Sequence, residues 1–163
     1  MVTDGGNGVR RIDQVASSPW LLCRTGAYLC ALPLQHVIET LRVPPVEVLS
    51  GTPRFVRGVC ILRGFPVPAL DTALLLGETR VEAKRLVAVR SGARTLGLLV
   101  ESVLGVRTIE RETCQDLPPL LRASASDAVS AIGTLDAELL LFFGAARIVP
   151  DHVLEGLGGE GMA

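Results

Sequence analysis

The segment 55–71 constrains the fold more than any other part of the chain, because two short apolar runs flank a turn that carries a charge. Gly58 and Gly64 bracket the first run, and glycine allows a turn or bulge where other residues would be strained. Arg63 stands just before Gly64, between the two runs. The pattern predicts two strands joined by a turn, with Arg63 at a strand end where it reaches solvent or a partner.

The second apolar run contains two prolines and ends in an aspartate. Pro66 and Pro68 are two residues apart, so their missing N–H groups fall on the same side of a strand. That side cannot donate hydrogen bonds, which predicts a strand at the edge of a sheet, protected against unwanted strand addition. Asp71 fits the N-cap of a short helix over residues 72–76, which Gly77 would end in the left-handed conformation.

Short apolar runs separated by turn residues continue along the chain and predict a mainly β protein of about eight to ten strands. We expect a short helical or irregular passage at residues 34–38, a long surface loop at 116–127 and a terminal helix at 150–156. Residues 86–108 predict a three-stranded meander. Besides the two runs in segment 55–71, the predicted strands are 20–24, 27–32, 86–89, 95–100, 103–108, 131–134 and 138–143.

The composition argues against several classes of function. Although 48% of the 163 residues are apolar, no uninterrupted apolar window of about 18 residues occurs, so a membrane span is not expected. Sixteen basic residues face 17 acidic ones, and the chain has four Phe, one Trp and one Tyr. Without a basic stripe or many stacking aromatics, nucleic-acid binding is not expected. Residues 1–18 predict a mobile tail on a cytoplasmic protein.

Metal, cofactor and phosphoryl-transfer chemistry are not expected either. The cysteines are far apart without a Cys-x-x-Cys pair, which favours buried free thiols over disulfides or metal ligands. His36 and His152 stand alone, and no set of ligands has zinc-site spacing. Lys84 is the only lysine, and no phosphate-binding glycine-rich loop occurs. The four cysteines are Cys23, Cys30, Cys60 and Cys114.

Residues around Asp71 match a protease signature, but Asp71 also has a structural explanation. Residues 69–73 resemble the apolar-apolar-Asp-Thr-Gly/Ala signature of retroviral-type aspartic proteases, which are β-rich homodimers. In those enzymes two carboxylates share a proton and activate water. Asp71 would be the catalytic residue in that interpretation, and a helix cap in the alternative one. The cap accounts for Asp71, and no glycine-rich flap follows it.

Four blocks within residues 20–154 resemble the CheW family of chemotaxis coupling proteins. The most specific block is 55–64 with 67–71, which is similar to the family's Gly-Val-x-Asn-Leu-Arg-Gly and Val-Pro-apolar-apolar-Asp patterns. Three departures point to a divergent paralogue: Ile61 replaces the usual Asn, Glu101 a common Asp, and Gly144 an Asp before the last helix. The other blocks are 31–33 with 37–39, then 98–106, and finally 132–135 with 139–141 and Arg147.

The resemblance implies a fold, a domain organisation and a function. We expect two small five-stranded β-barrel subdomains around a shared apolar seam, with short helices that include a C-terminal one. The CheW-like domain would span residues 19–156, between the tail 1–18 and a C-terminal tail 157–163. The chain would be a non-enzymatic cytoplasmic adaptor, located at receptor arrays, that couples methyl-accepting chemoreceptors to a CheA-type histidine kinase.

The resemblance also implies partner-binding residues. Arg63 matches the family's Leu-Arg-Gly and would pair with a carboxylate on the kinase or the receptor. The alternative is an intramolecular ion pair that fixes the turn. Gly58 belongs to the same block. Glu39 and Val37 match the Val-x-Glu element, although Glu39 could be a solvated charge and Val37 a core residue.

A further pair of apolar residues lies close to the expected seam. Leu104 and Val106 would help to form a groove that accepts the helical tip of the receptor, or they would simply pack in the core. A third possibility for the whole chain is a β-barrel module that binds a small ligand or a protein outside chemotaxis. Binding to a kinase and a receptor tip would distinguish the adaptor from this module.

Overall fold

The short apolar runs form strands of two kinds. Strand Val56–Leu62 alternates between buried and more exposed residues, whereas strands Tyr28–Pro33 and Arg94–Val100 are each buried over five consecutive residues. The computed structural model describes residues 18–110, 114–117 and 128–144, and these form eleven strands, one 3-10 turn at Leu34–His36 and one helix, α1, at Thr72–Leu75. The strands are β1 Pro19–Thr25, β2 Tyr28–Pro33, β3 Val37–Arg42, β4 Val56–Leu62, β5 Phe65–Asp71, β6 Arg85–Ser91, β7 Arg94–Val100, β8 Ser102–Thr108, β9 Cys114–Asp116, β10 Val129–Leu135 and β11 Glu138–Phe143.

The strands form two sheets. The six-stranded sheet has the order β8-β1-β2-β11-β10-β9, and the five-stranded sheet has the order β3-β6-β7-β5-β4. Neighbouring strands are antiparallel except for the β2–β11 and β5–β7 pairs, which are parallel. The mainly β prediction with two subdomains is confirmed. Among the described strands, the two end strands of each sheet do not pair with each other. One sheet has six strands rather than the expected five.

An apolar seam joins the two sheets. Its buried residues come from both of them, including Cys23, Leu32 and Phe143 from one sheet and Leu70 and Leu98 from the other. Each fully buried aliphatic side chain contributes about 1.5–3 kcal/mol relative to an exposed one. The shared seam that the family resemblance implies is therefore present.

Two carboxylates from outside the six-stranded sheet hold the turn between β1 and β2. The Gly26 N–H donates to Glu101 Oε1 at 2.7 Å, and the Ala27 N–H donates to Glu78 Oε2 at 3.1 Å. Gly26 has a φ of 61°, and a Cβ atom there would overlap the Glu78 carboxylate. Because Glu101 lies at the crossing from β7 to β8, these bonds tie the turn to the point where the chain changes sheets.

The prediction for residues 34–38 is only partly right. The 3-10 turn occupies Leu34–His36, but the chain then continues as β3, which pairs with β6 in a register that places Glu39 opposite Ala88. The predicted meander is wrong beyond β7. After Glu101 the chain crosses to the other sheet, where β8 pairs with β1. In both places a distant partner strand decides the structure, and local sequence does not reveal that partner.

The edge position predicted for β5 is wrong as well, because β5 lies between β4 and β7. Its pairing with β7 involves only the last three residues of the strand, Ala69, Leu70 and Asp71. Pro66 and Pro68 face Ile61 and Val59 of β4 and lie outside the β7 register. The prolines therefore occupy the part of β5 where no β7 ladder needs their missing N–H groups.

Some predictions fall outside the described residues. These are most of the loop at 116–127, the terminal helix at 150–156, both predicted tails except for Ser18, and Arg147. Of the loop, Asp116 is described as the last residue of β9, and Leu117 is buried. The boundaries 19–156 of the CheW-like domain therefore stay a prediction.

Candidate partner-binding surface

The turn between β4 and β5 presents Arg63 in a fixed direction. Arg63 and Gly64 have φ values of 50° and 85°, so both residues of this two-residue connection are left-handed. Such turns match the twist of the flanking strands. A residue other than glycine costs roughly 1–2 kcal/mol in this conformation. Arg63 is therefore held at an unfavourable backbone position at the end of a hairpin, which is where functional side chains are often found.

Arg63 forms an ion pair with Glu39 on β3. Its Nε donates to Glu39 Oε2 at 2.7 Å, and its Nη2 donates to Oε1 at 3.2 Å. These hydrogen bonds, with the positive charge of Arg63, hold the pKa of Glu39 below its ordinary value, although desolvation opposes the shift. The intramolecular ion pair, which was the alternative for Arg63, is therefore present, and Glu39 is not merely a solvated charge.

The ion pair leaves much of the guanidinium accessible. The Arg63 side chain is 77% exposed, whereas that of Glu39 is 27% exposed. Arginine has five N–H donors, and Glu39 accepts from two of them, so three remain for another acceptor. Arg63 can thus bind a partner's carboxylate while Glu39 keeps it oriented.

Exposed apolar residues lie close to Arg63 and Glu39 along the chain. Ile61 and Phe65, each two residues from Arg63, are 62% and 70% exposed, and Ile38, next to Glu39, is 45% exposed. Ile61 faces outwards because its neighbours Cys60 and Leu62 face the core. We call the set Ile38, Glu39, Ile61, Arg63 and Phe65 the hairpin-end surface.

In the sequence, Ile61 stands out only as a departure from the family pattern, and no motif points to Ile38 or Phe65. The signal for Ile61 was present in the strand alternation, since every second residue of β4 from Val56 to Leu62 is buried. The exposure of Ile38 could not be deduced, because β3 itself was not predicted.

Gly58 is buried and shapes the strand. It lies at a bulge in the β4–β5 pairing and has a φ of 151°. A Cβ atom there would overlap the carbonyl oxygen of Glu47. The close approach allows Glu47 and Val59 to exchange backbone hydrogen bonds of 2.8 and 2.9 Å. Gly58 is thus needed for the segment around Glu47 to cover the outer edge of β4.

The remaining predicted contact residues lie elsewhere. Val37 is half-buried, sits opposite Val89 and packs against the seam. Leu104 and Val106 are each 52% exposed on β8, the end strand of the six-stranded sheet. The core-packing alternative is therefore wrong for these two residues. We call Leu104 and Val106 the β8 face.

Asp71 is a structural residue. Its Oδ1 accepts the Leu74 N–H at 3.1 Å at the start of α1, and its Oδ2 accepts from Arg57 Nη2 at 2.6 Å. The side chain is only 3% exposed. The predicted N-cap is confirmed, and Gly77 is left-handed with a φ of 84° as expected. Because both carboxylate oxygens have partners, the geometry does not favour the catalytic interpretation of Asp71.

The cysteines behave as small apolar residues. Cys23, Cys30 and Cys60 are buried free thiols, as predicted, and Cys114 is half-buried. Burial raises the pKa of Cys23 to about 12 and also raises the pKa values of Cys30 and Cys60. These buried thiols are therefore poor nucleophiles at neutral pH.

Neither a metal site nor a membrane-spanning helix is found among the residues that the structure describes. No three His, Cys, Asp or Glu side chains among them are grouped so that they could hold a metal ion. None of their helices has the length and hydrophobicity that a membrane span requires.

Comparison with known proteins identifies the family of this chain. Residues 19–152 match the family model of the CheW-like domain. The chain is 34% identical over 128 residues to Protein FrzA of Myxococcus xanthus, a match that covers 74% of this chain and 79% of FrzA. It is 26% identical over 99 residues to Chemotaxis protein CheW of Klebsiella aerogenes, covering 59% of this chain and 60% of that protein.

A solved structure supports the fold. The scaffolding protein TtCheW from Thermoanaerobacter tengcongensis superposes with a TM-score of 0.71 at 20% identity, covering 81% of this chain and 92% of that one. The sequence resemblance is thereby confirmed. The chain belongs to the CheW-like domain family, whose members are scaffolding and coupling proteins of chemotaxis rather than enzymes.

Proposed function

We propose that this chain couples methyl-accepting chemoreceptors to a CheA-type histidine kinase in a chemosensory array. The observation that carries the proposal is that each sheet exposes its own apolar surface: the hairpin-end surface on the five-stranded sheet and the β8 face on the six-stranded sheet. A protein that joins two partners needs two such surfaces. Membership of a chemotaxis family supports the choice of partners.

The hairpin-end surface is suited to the kinase. Ile61 and Phe65 offer apolar contact area on the two faces of the hairpin, and Arg63 offers a charge at its end. An interface of this kind buries its apolar residues at the centre and keeps charges at the rim. Glu39 orients the guanidinium before binding, which lowers the entropic cost of ordering a long side chain in the complex. We assign the other half of this interface to a carboxylate on the regulatory domain of the kinase.

The β8 face is suited to the receptor. Leu104 and Val106 are both exposed on the end strand β8, next to an irregularity in its pairing with β1 at which Leu104 has no opposite residue. Two half-exposed aliphatic residues on one end strand can contact the apolar stripe of an amphipathic helix, such as the helical tip of a chemoreceptor. In this account the protein is cytoplasmic and reaches the membrane through the receptor.

Binding experiments with the full chain test the two assignments separately. Purified protein is titrated with the kinase regulatory domain and, independently, with a receptor signalling tip. Arg63→Glu should weaken the kinase complex and leave receptor binding unchanged, whereas Leu104→Glu combined with Val106→Glu should do the opposite. Leu139→Glu is the control, because Leu139 is 47% exposed on β11 and belongs to neither surface. If the wild-type chain binds neither partner, the proposed function is wrong.

A further inference from the structure

Two arginines meet at one end of the five-stranded sheet. Arg42 is the last residue of β3, Arg85 is the first residue of β6, and the two are directly opposite in the antiparallel register. Residues in such a pair have Cβ atoms about 4.5–5.5 Å apart and project from the same face. Both arginines are exposed, as is Lys84, which precedes Arg85. Three positive charges are therefore concentrated at this end of the sheet.

These cations differ from three other arginines of the sheets. Arg24, Arg57 and Arg63 each form an ion pair, with Glu138, Asp71 and Glu39 respectively. No carboxylate of the described residues forms a hydrogen bond or ion pair with Arg42 or Arg85. Like charges directly opposite each other destabilise a strand pair. The fold thus keeps an unfavourable arrangement that an external anion would relieve.

The chemistry of the site favours carboxylates. Guanidinium groups present planar sets of N–H donors that match a carboxylate in two parallel hydrogen bonds. The positive charge is confined to this end of the sheet, because the chain as a whole has a net charge of −1. Nucleic acid would require a longer basic stripe, and an anionic membrane is usually bound by clusters of four to eight cations.

We propose that Arg42 and Arg85 form a docking site for an acidic segment of a partner protein. Val100, which pairs with Arg85, lies just before β8. The site therefore lies next to the point where the chain crosses between the sheets. It would provide a charged contact in addition to the hairpin-end surface and the β8 face. It does not depend on the identity of the partners proposed above.

NMR titration of the full chain with a peptide of six glutamates tests the site. The Nε–H signals of Arg42 and Arg85 should shift saturably, the shifts should weaken at high salt, and a peptide of six glutamines should cause none. Arg42→Glu and Arg85→Glu should each weaken binding about tenfold, and the milder Arg42→Gln and Arg85→Gln should each weaken it by a smaller factor. Arg90→Glu is the control, because Arg90 is exposed at the other end of β6, opposite Thr95.

The outcomes separate the alternatives. Equal shifts at Arg90, or equal binding of the glutamine peptide, would overturn the proposal. It would also be overturned if single-stranded DNA or phosphatidylserine vesicles bound through Arg42 and Arg85 while the glutamate peptide did not. None of these outcomes bears on kinase or receptor binding, so failure here and failure of the coupling function are distinguishable.

Discussion

Arg63 and Glu39 connect opposite edges of the five-stranded sheet. Glu39 lies on β3 and Arg63 directly follows β4, and these are the two end strands of that sheet. The residues are 24 positions apart, yet Arg63 Nε and Glu39 Oε2 are 2.7 Å from each other. The sheet therefore curls until its edges approach, and a side-chain contact joins them. The same contact orients the arginine that we assign to the kinase.

The ion pair predicts a specific pH dependence. Arg63 lowers the pKa of Glu39 below its ordinary value of 4.5. Because the Glu39 pKa is lower in the folded state, the ion pair stabilises the folded protein at pH values above the unfolded-state pKa. This stabilisation is lost as the pH falls through the folded-state pKa. A carbon-detected NMR titration of the Glu39 carboxyl should therefore give a midpoint below 4.5.

Arg63→Gln should return the Glu39 midpoint towards its ordinary value. Because Arg63 is highly exposed, we expect the melting temperature of this variant to stay close to that of the wild type. A wild-type Glu39 that titrates at its ordinary value would contradict the ion pair in solution.

Asp71 should contribute strongly to stability. Asp71→Ala removes both the helix cap and the partner of Arg57, and we expect a loss of about 3 kcal/mol in the free energy of unfolding. Asp71→Asn keeps a good capping group but loses the negative charge, so we expect a smaller loss of about 1–2 kcal/mol. Urea unfolding of the three proteins measures both values. Equal stability of wild type and Asp71→Ala would show that these contacts are absent in solution.

Gly58 and Gly64 should differ in their tolerance of a side chain. Both have positive φ, but Gly64 has open space around it, whereas a Cβ atom on Gly58 would overlap the Glu47 carbonyl. We expect Gly64→Ala to lower the free energy of unfolding by about 1 kcal/mol, and Gly58→Ala to lower it by at least about 2 kcal/mol.

Hydrogen exchange gives a local measurement of the same difference. Gly58→Ala should expose the Glu47 and Val59 amides to faster exchange, because it breaks their mutual backbone bonds. Gly64→Ala should leave both amides protected. Unchanged protection in Gly58→Ala would contradict the role given to Gly58.

The sequence predicts local features of this fold well. Short apolar runs separated by turn residues locate β4, β5 and the β10–β11 hairpin, since these elements depend on neighbouring residues. The same holds for Asp71, whose capping bond reaches only three residues ahead. Features set by distant pairing were missed: β3 forms against β6, and β8 leaves β7 for β1.

The candidate site shows the same division. The family resemblance points to Arg63 and to Glu39 individually, but no local pattern connects residues on opposite edges of a curled sheet. Leu104 and Val106 were selected with burial as the alternative, and their exposure depends on β8 being an end strand. Apolar sequence alone does not distinguish a contact surface from a core.

Reconstitution of signalling tests the coupling function most directly. A receptor signalling fragment, a CheA-type kinase and the full chain are combined, and the rate of kinase autophosphorylation is measured with each component omitted in turn. We predict that the receptor raises the rate at least about fivefold only when the chain is present, and that Arg63→Glu removes most of this increase. A kinase rate that responds equally to the receptor with and without the chain would contradict the account.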